Sequence, residues 1–322
     1  MKVFVSTVPF GAEDNRPLQL LHQNNLEVIL NPLRRKLTAS ELAMMIGDCT
    51  ALIAGTEPIT DLVLQRAPQL KLISRVGIGL DNVELNAARA RGIKVAYTPD
   101  APSPAVAELT IGQILTLLRH VHVSNMELHQ GSWSRHFGKR ITESTIGIIG
   151  FGRIGSRVAT LLDNLGCREL LLHDIKPTSS IELSCSWSWV EIDQILRQAD
   201  VITLHVPLSK STKDLISQKE FSLMKDSAVV INTSRGGIVN EEDLAVALMN
   251  GEIAAAAVDT FETEPYSGRL NQLKNCLLTA HMGSMSVDCR VQMEIEATEE
   301  VVRFIQGNQL LNPVPEEEYG FL

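Results

Sequence analysis

The sequence predicts an α/β protein with parallel sheets, and three observations support this fold class. Short runs rich in Val, Ile and Leu alternate with amphipathic helical segments along the 322 residues, a pattern typical of successive βα units. Hydrophobic residues make up 44% of the chain and charged residues 21%, a balance that excludes intrinsic disorder. At roughly 150 residues per domain, this length predicts two domains, each able to bury a core.

Five strands are predicted in the first hundred residues, at 2–6, 26–30, 51–55, 70–76 and 93–97. Helical segments separate these strands, and one of them runs over 83–91 and ends at Gly92, a residue typical of helix C-caps. The stretch TPDAPSPA follows, at 98–105, and contains three prolines. Because proline interrupts regular elements, this stretch is the best candidate for a linker.

A long helix over 105–129 is predicted after the linker, and a second βα series begins near Thr145. The strands of this series are predicted at 145–150, 169–174, 201–206, 228–233, 254–259 and 276–280. The segment 176–188, which includes SCSWSW, has no clear period and is expected to be a surface loop. A final amphipathic helix is predicted over 287–305.

The composition also limits the class of partner. A formal net charge of −9 argues against binding to nucleic acid or to an anionic membrane surface. The five cysteines have no CxxC spacing, so neither a zinc site nor a disulfide framework is predicted. The segment MKVFVSTVPFGAEDN lacks the features of a signal peptide, and charges interrupt the longest apolar stretch. We therefore expect a cytoplasmic protein without membrane spans.

A glycine-rich turn predicts a dinucleotide-binding site. The sequence STIGIIGFGRIGSR places Gly150, Gly152 and Gly155 between an apolar strand and a helix. In this GxGxxG pattern, Gly150 permits the tight turn, Gly152 leaves space for a pyrophosphate, and Gly155 lets the helix pack close to the strand. The N–H groups at the start of the helix can then bind the phosphates. A tight strand–helix turn without a ligand is the structural alternative.

Asp174 lies 19 residues beyond Gly155, at the end of the next predicted strand. A carboxylate at this position accepts hydrogen bonds from the ribose hydroxyls and repels a 2′-phosphate. Asp174 therefore favours NAD over NADP, although the positive charge of the nearby Lys176 opposes this preference.

Three polar segments follow strands of the second series: INTSRGG with Arg235, VDTFETEP with Glu264 and LLTAHMGS with His281. Ligands bind at the carboxyl edge of open α/β sheets, so these side chains are candidates for catalysis. Each also has a structural explanation, as a surface arginine, a solvated turn glutamate or a strand-end histidine. His205, in HVPL at another strand end, is the rival of His281.

The ordered set GFGRIG, Asp174, HVPL, NTSRGG, VDTFETEP and TAHMGS resembles the D-isomer-specific 2-hydroxyacid dehydrogenases, most of all those of the phosphoglycerate dehydrogenase type. The resemblance extends from about Leu52 to Glu300. It implies an NAD-dependent oxidoreductase that transfers a hydride between nicotinamide and C2 of a D-2-hydroxy acid or 2-oxo acid, with 3-phosphoglycerate as one candidate. It also implies a homodimer and a reaction that needs no metal ion.

The same resemblance implies the domain organisation. A doubly wound Rossmann nucleotide-binding domain, at 102–283, is expected to be inserted into a smaller flavodoxin-like α/β substrate domain. Residues 1–101 and 284–322 would form this second domain, which makes it discontinuous in the sequence.

The resemblance implies a role for each matching residue. Arg235 would bind the substrate carboxylate, His281 would transfer the proton, and Glu264 would orient the imidazole. The implied NAD-binding residues are Gly150, Gly152, Arg153, Ile154, Gly155, Asp174, Val206, Thr233, Ser234, Arg235, Asp259, His281 and Gly283. The implied substrate-binding residues are Arg75, Val76, Gly77, Ile78, Arg235 and His281.

The substrate loop departs from the phosphoglycerate dehydrogenase pattern. Arg75 matches an arginine that these enzymes use near the substrate phosphate. Gly55, in LIAGTEPIT, stands where some of them have a second basic residue, and this difference weakens the assignment of phosphoglycerate.

Two other functions stay open at this stage. A formate-dehydrogenase-like enzyme of the same fold typically has glutamine where Glu264 stands, so this chain disfavours it. An NAD(H)-sensing, corepressor-like binding protein would act by recognising a partner. The intact set of Arg235, Glu264 and His281 favours an enzyme, although the fold alone does not establish activity.

Overall fold

The computed structural model describes residues 1–178 and 180–320, and the chain divides into two compact units. One unit comprises Met1–Pro102 and Ser284–Leu322, and the other comprises Ser103–Gly283. Position 179, within the segment expected to be a loop, lies outside the described residues. Among the described residues, no helix combines the length and the apolar character that a membrane crossing needs.

The described residues alternate between strands and helices along the chain. The strands are β1 (Lys2–Val5), β2 (Glu27–Leu30), β3 (Ala51–Ala54), β4 (Leu72–Arg75), β5 (Lys94–Tyr97), β6 (Thr145–Ile149), β7 (Glu169–His173), β8 (Ser186–Trp189), β9 (Val201–Leu204), β10 (Val229–Asn232), β11 (Ala255–Val258) and β12 (Cys276–Leu278). The α-helices are α1 (Arg16–Gln23), α2 (Ala39–Met45), α3 (Asp61–Gln65), α4 (Leu85–Ala90), α5 (Ser103–Leu118), α6 (Val121–His129), α7 (Arg153–Asn164), α8 (Ile192–Gln198), α9 (Gln218–Phe221), α10 (Glu241–Asn250) and α11 (Val287–Ile305).

The first unit has a five-stranded parallel sheet with the order β2-β1-β3-β4-β5. This is the flavodoxin-like strand order, in which the connections place helices on both faces. Helix α11 comes from the far end of the sequence but packs in this unit, where the Ser74 hydroxyl on β4 donates to the Ala297 carbonyl at 2.7 Å. The two separate segments therefore form one sheet-and-helix body.

The second unit has a seven-stranded parallel sheet with the order β12-β11-β10-β9-β6-β7-β8. Counted from β6, six of these strands follow the order 3-2-1-4-5-6 of the doubly wound Rossmann fold, and β12 extends the sheet by one strand. Apolar strands such as β9 and β10 are buried on both faces, as parallel sheets covered by helices require. The predicted fold class is confirmed in both units.

The prediction of one long helix over 105–129 is wrong. Helix α5 ends at Leu118 and α6 begins at Val121, with His120 between them in the left-handed region at φ 53°. The Lys139 N–H donates to the Leu118 carbonyl at 3.0 Å. This bond satisfies one of the carbonyls that the end of α5 leaves without a helical partner.

The prediction of a surface loop over 176–188 is wrong at its end, because the SWSW sequence forms the edge strand β8. This strand pairs in parallel with β7, with Trp187 opposite Leu170 and Trp189 opposite Leu172. Its tryptophans are half-buried while both of its serines are exposed. The alternation of serine and tryptophan is thus a period of two, the pattern of a strand with one covered face.

Candidate active site

The turn from β6 to α7 requires glycine at positions 150 and 155, the first and third glycines of the GxGxxG pattern. Gly150 has φ 96°, and a Cβ there would lie 2.5 Å from the His205 carbonyl oxygen. A Cβ at Gly155 would lie 2.0 Å from the Gly150 carbonyl oxygen. These separations are far below van der Waals contact, so both glycines are required for the close approach of strand, turn and helix.

Gly152 differs from its two neighbours in the motif. It is exposed at the start of α7, and no atom lies within 4 Å of an added Cβ. The next two residues, the exposed Arg153 and the half-buried Ile154, begin the helix. Open space beside a helix N-terminus is what a diphosphate needs, because unbonded N–H groups and the helix dipole both attract anions. The turn therefore fits the phosphates of a dinucleotide.

Asp174 follows β7 and is held beside the same turn. The Phe151 N–H donates to its Oδ2 at 2.7 Å, and the Lys176 N–H donates to its Oδ1 at 2.8 Å. A carboxylate has about four lone-pair sites, so both oxygens can also accept hydrogen bonds from a ribose. The predicted acidic residue thus lies where a ribose next to the diphosphate would be bound.

Three further residues of the predicted cofactor set have different surroundings. Val206 lies against the turn, with its Cγ1 2.9 Å from the position of a Cβ on Gly150. Thr233 is buried and its hydroxyl lies 2.9 Å from the hydroxyl of Thr110 on α5. The hydroxyl of Ser234 donates to the Asn232 side chain at 2.8 Å. Val206 thus contacts the glycine turn, whereas the hydroxyls of Thr233 and Ser234 bond to Thr110 and Asn232.

His281 and Glu264 form a hydrogen-bonded pair in the second unit. The His281 Nδ1 lies 3.0 Å from Glu264 Oε1 and 3.1 Å from Oε2, and both side chains are half-buried. Glu264 also accepts a hydrogen bond from the Phe261 N–H at 3.2 Å, which fixes its carboxylate. Because Nδ1 faces the carboxylate, Nε2 is the nitrogen directed away from it, suited to proton exchange with a substrate.

The loop of Arg235 packs against the loop of Glu264. The Asn232 side chain donates to the Arg235 carbonyl at 2.9 Å, and the guanidinium donates to the Ser234 carbonyl at 2.7 Å. A Cβ at Gly236 would lie 2.0 Å from the Phe261 carbonyl carbon. Glycine at 236 therefore allows the two loops to touch, and the structure brings together the predicted catalytic residues Arg235, Glu264 and His281.

Asp259 positions the histidine loop, a role that the sequence did not indicate. It is 1% exposed and accepts a hydrogen bond from the Thr279 hydroxyl. Its two oxygens also accept from the N–H groups of Met282 at 2.8 Å and Gly283 at 2.9 Å. Its own carbonyl accepts from the His281 N–H at 2.8 Å. Asp259 and Gly283, both predicted to contact NAD, are thus joined to each other beneath the histidine.

Helix α5 contributes two polar residues that the sequence reasoning missed. Thr110 meets Thr233, as above, and the Gln113 side chain donates to the Thr279 hydroxyl at 3.2 Å. Both residues are almost completely buried. Their signal in the sequence is a pair of polar residues three positions apart on a mostly apolar helix, which places them on one face.

His205 does not have the environment of a proton donor. Its Nε2 lies 2.9 Å from the Thr203 hydroxyl, and burial lowers the pKa of His205 to about 3. An imidazole with this pKa is neutral at physiological pH. His281, with its glutamate partner, is therefore the better candidate.

In the first unit, the predicted substrate residues follow β4. Arg75 is 7% exposed and its guanidinium donates to the Val76 carbonyl, against Gly77, which has φ 133°. The Val76 N–H donates to the Ala54 carbonyl at 2.8 Å. The Gly77 N–H donates to the Thr98 hydroxyl at 2.7 Å. These two amides are committed to protein acceptors, so an anion would have to use amides further along the loop, beginning with that of the half-buried Ile78.

A comparison with protein families and known proteins agrees with this geometry. The family model described as "D-isomer specific 2-hydroxyacid dehydrogenase, NAD binding domain" matches residues 111–283. The chain is 32% identical over 291 residues to hydroxypyruvate reductase of Thermotoga maritima, covering 88% of this chain and 92% of that protein. It is 35% identical over 301 residues to D-3-phosphoglycerate dehydrogenase of Methanocaldococcus jannaschii, covering 89% of this chain but 56% of that protein.

Solved structures give the same result. D-lactate dehydrogenase from Aquifex aeolicus, complexed with NAD and lactic acid, superposes with a TM-score of 0.86 at 25% identity, over 98% of this chain and 99% of that one. The chain belongs to the D-isomer-specific 2-hydroxyacid dehydrogenase family. It is an NAD-dependent oxidoreductase, and the second unit contains its NAD-binding domain.

Proposed function

We propose that this enzyme reduces a 2-oxo acid to the D-2-hydroxy acid, and catalyses the reverse oxidation, with Arg235, Glu264 and His281 as its catalytic residues. The observation that supports this most directly is the bond of His281 Nδ1 to both oxygens of Glu264, at 3.0 and 3.1 Å, beside the loop of Arg235. A histidine held in this way has a fixed orientation and one nitrogen left for the substrate.

Each catalytic residue has a defined task in the reduction. Arg235 binds the substrate carboxylate through its planar guanidinium and draws electron density from the neighbouring carbonyl. His281 donates the proton on Nε2 to the carbonyl oxygen, and Glu264 stabilises the imidazolium from which this proton leaves. NADH, when bound, would supply the hydride for C2, and this hydride together with the proton from His281 would convert the carbonyl to a hydroxyl. In the oxidation His281 accepts the hydroxyl proton.

The residues proposed to hold NAD are those around the β6–α7 turn. The N–H groups at the start of α7, next to the open position at Gly152, would bind the diphosphate. Asp174 would accept hydrogen bonds from a ribose, and its negative charge disfavours the 2′-phosphate of NADP. Thr233, Ser234 and Asp259 would act at the nicotinamide end, in part through the loops that they fix.

The first unit is proposed to be the substrate domain, with Arg75 to Ile78 as its contribution to substrate binding. The relatives are named for hydroxypyruvate and for 3-phosphoglycerate, so both types of acid are candidates. Arg75 supplies one positive charge for an anionic group of the substrate.

We also propose a homodimer that acts in the cytoplasm. Trp133 is 84% exposed and Phe137 is fully exposed, in the segment that follows α6. Large apolar side chains exposed in one segment are typical of protein contact surfaces. Sedimentation equilibrium would support this proposal by giving twice the mass of 35.4 kDa, and a monomer would contradict it.

The experiment that tests the proposed activity is NADH oxidation at 340 nm with a panel of 2-oxo acids. The panel comprises 3-phosphohydroxypyruvate, hydroxypyruvate, glyoxylate, pyruvate, 2-oxoglutarate and branched 2-oxo acids. We expect turnover of at least one acid, and we expect His281→Ala to lower kcat by about 10²–10⁴-fold because it removes the general acid. NADH affinity, measured by fluorescence titration, should stay nearly unchanged.

A matched control is His129→Ala, which removes an exposed histidine on α6 and should retain wild-type kcat. Full activity in His281→Ala would contradict the assigned role of His281. Bound NADH without turnover of any 2-oxo acid would contradict the proposed reduction of 2-oxo acids and favour an NAD(H)-sensing role.

A further inference from the structure

The carboxyl edge of the first sheet contains a buried carboxylate that the proposed catalysis does not use. Glu57 lies in the loop after β3 and is 2% exposed. Its Oε1 accepts hydrogen bonds from the Ser6 hydroxyl, after β1, and from the Gly55 N–H at 2.9 Å. Hydrogen bonds to a carboxylate are stronger than those between neutral groups, so these two bonds fix the position of the Glu57 side chain.

Glu57 and Arg75 lie in neighbouring loops of this edge. Strands β3 and β4 pair in parallel with Ala54 opposite Arg75, so the residues that follow each strand emerge side by side. The Asn82 side chain, in the loop after β4, joins this loop to the loop after β3. Its Nδ2 donates to the carbonyls of Gly55 at 3.1 Å and Glu57 at 2.7 Å.

The Glu57 side chain also faces the backbone of Gly55. A Cβ on Gly55 would lie 3.1 Å from Glu57 Oε2 and 2.8 Å from the Thr7 hydroxyl. A larger side chain at 55 would therefore have to displace one of them. At position 55, where some phosphoglycerate dehydrogenases have a second basic residue, this chain thus has a glycine next to a carboxylate.

A second arginine in this region, Arg290, forms an ion pair with Glu294. The Arg290 Nε donates to Glu294 Oε1 at 2.6 Å, and both side chains are largely buried. The same guanidinium donates to the Thr7 hydroxyl at 3.0 Å and to the Pro9 carbonyl. A buried pair of this kind has little net charge to offer a ligand.

The formal charges of these four groups cancel. Arg75 and Arg290 contribute two positive charges, and Glu57 and Glu294 contribute two negative charges. A phosphate monoester has a charge of about −1.5 to −2 at pH 7 and is bound well by clusters of unpaired cations. Together, these four groups offer no net positive charge to such a group.

We propose that Glu57 is a specificity-determining residue that selects 2-oxo acids whose single anionic group is the C1 carboxylate. Its negative charge, in the loop next to that of Arg75, disfavours substrates with a second anion, whether a phosphate ester or a distal carboxylate. This inference rests on the proposed reduction of 2-oxo acids and narrows its substrate class.

The test compares hydroxypyruvate with 3-phosphohydroxypyruvate, which differ by one phosphate, in the wild-type enzyme and in Glu57→Gln. We expect the wild type to prefer hydroxypyruvate in kcat/KM by at least about tenfold, the effect of one unfavourable charge contact. Glu57→Gln keeps the shape and an acceptor for Ser6 and Gly55. It should reduce this preference by about tenfold, while kcat/KM for hydroxypyruvate changes by less than about threefold.

Glu300→Gln is the matched control, since Glu300 is also 2% exposed and accepts hydrogen bonds from the N–H groups of Leu311 at 3.1 Å and Asn312 at 2.6 Å. Loss of this buried carboxylate should leave the ratio between the two substrates unchanged. An unchanged ratio in Glu57→Gln, or an equal change in Glu300→Gln, would overturn the inference about Glu57.

A second pair of acids keeps the inference testable if Glu57→Gln does not fold. Oxaloacetate differs from 2-oxobutyrate by a carboxylate in place of a methyl group, and the wild type should prefer 2-oxobutyrate. Equal or higher kcat/KM for oxaloacetate and for 3-phosphohydroxypyruvate would overturn the inference while leaving the proposed reduction intact. Absence of turnover with all four acids and with the rest of the panel would overturn both.

Discussion

At the carboxyl edge of the second sheet, His281 and Glu264 are half-buried and bonded to each other, whereas at the edge of the first sheet Arg75 and Glu57 are buried. A group that exchanges a proton with a substrate has to be reached by that substrate. A group that selects among substrates can act through its charge from beneath the surface. Exposure therefore separates the proposed chemistry of one unit from the proposed selectivity of the other.

Two glycine-containing turns show the same contrast at the level of the backbone. Gly152 begins a helix and has no atom within 4 Å of an added Cβ. Gly77 is buried, and a Cβ there would lie 1.7 Å from the Arg75 guanidinium. The first turn leaves room for a ligand, while the second is filled by the protein's own side chain. Glycine in a loop after a strand is thus compatible with both an open and an occupied turn.

The largest effect that tests this contrast is expected from Gly152→Val. The added side chain would enter the space proposed for the diphosphate, so we expect NADH affinity to fall by more than about tenfold, a loss of over 1.4 kcal/mol. The melting temperature without NADH should stay close to that of the wild type, because no atom lies within 4 Å of the new Cβ. Fluorescence titration and thermal unfolding measure the two quantities.

Gly155→Ala is the control with the opposite result. Its Cβ would lie 2.0 Å from the Gly150 carbonyl oxygen, so the protein has to shift. We expect a destabilisation of about 1–3 kcal/mol, seen as a lower melting temperature even without NADH. If Gly152→Val lowered the melting temperature as much as Gly155→Ala, the space at Gly152 would be structural and not a ligand site.

The sequence was sufficient to predict six of the seven described strands of the second unit, all but the edge strand β8, and its glycine turn, because these depend on local patterns. Apolar runs of four to six residues separated by helices indicate buried parallel strands, and the spacing of Gly150, Gly152 and Gly155 has a backbone reason at each position. The break between α5 and α6 instead involves Lys139, which reaches the Leu118 carbonyl from beyond α6. A window of local sequence contains no signal for that contact.

In the candidate site, too, residues that follow a local pattern could be predicted from the sequence, whereas roles that depend on distant residues could not. Each catalytic candidate follows a strand, and the carboxyl ends of parallel strands meet at one edge. The role of Asp259 could not be predicted, because its partners Met282 and Gly283 are more than twenty residues away. Glu57 was missed because a glutamate in a loop is usually solvated, and its burial depends on Ser6, from another strand end.

An effect of intermediate size is expected from Asp174→Ala. This variant removes the acceptor for the ribose hydroxyls and the negative charge that repels a 2′-phosphate, so NAD binding should weaken. We expect the preference for NAD over NADP to fall by about tenfold, as for the loss of one hydrogen bond to a charged group. The ratio of kcat/KM for the two cofactors measures this preference. Unchanged cofactor selectivity would contradict the assigned role, and the proposed NAD selectivity would then have to arise elsewhere.

The smallest effect is expected from Asp200→Asn, at the amino edge of the second sheet. Burial raises the pKa of Asp200, but hydrogen bonds from the Thr145 N–H, Lys225 and Lys139 outweigh this and lower the pKa below its ordinary value of 3.8. A lowered pKa in the folded state means that the charged form stabilises the fold above the unfolded-state pKa. This stabilisation is lost as the pH falls through the folded-state pKa.

Asp200→Asn should therefore lower the melting temperature at pH 7 by about 2–4 °C, the shift expected for 1 kcal/mol in a unit of this size. The difference from the wild type should shrink as the pH falls below about 4, where both forms become neutral. kcat at pH 7 should not change, because this carboxylate is bonded at the edge opposite to the proposed active site. A difference that stays constant from pH 7 to pH 3 would show that Asp200 stabilises the fold through its shape and hydrogen bonds, not through its charge.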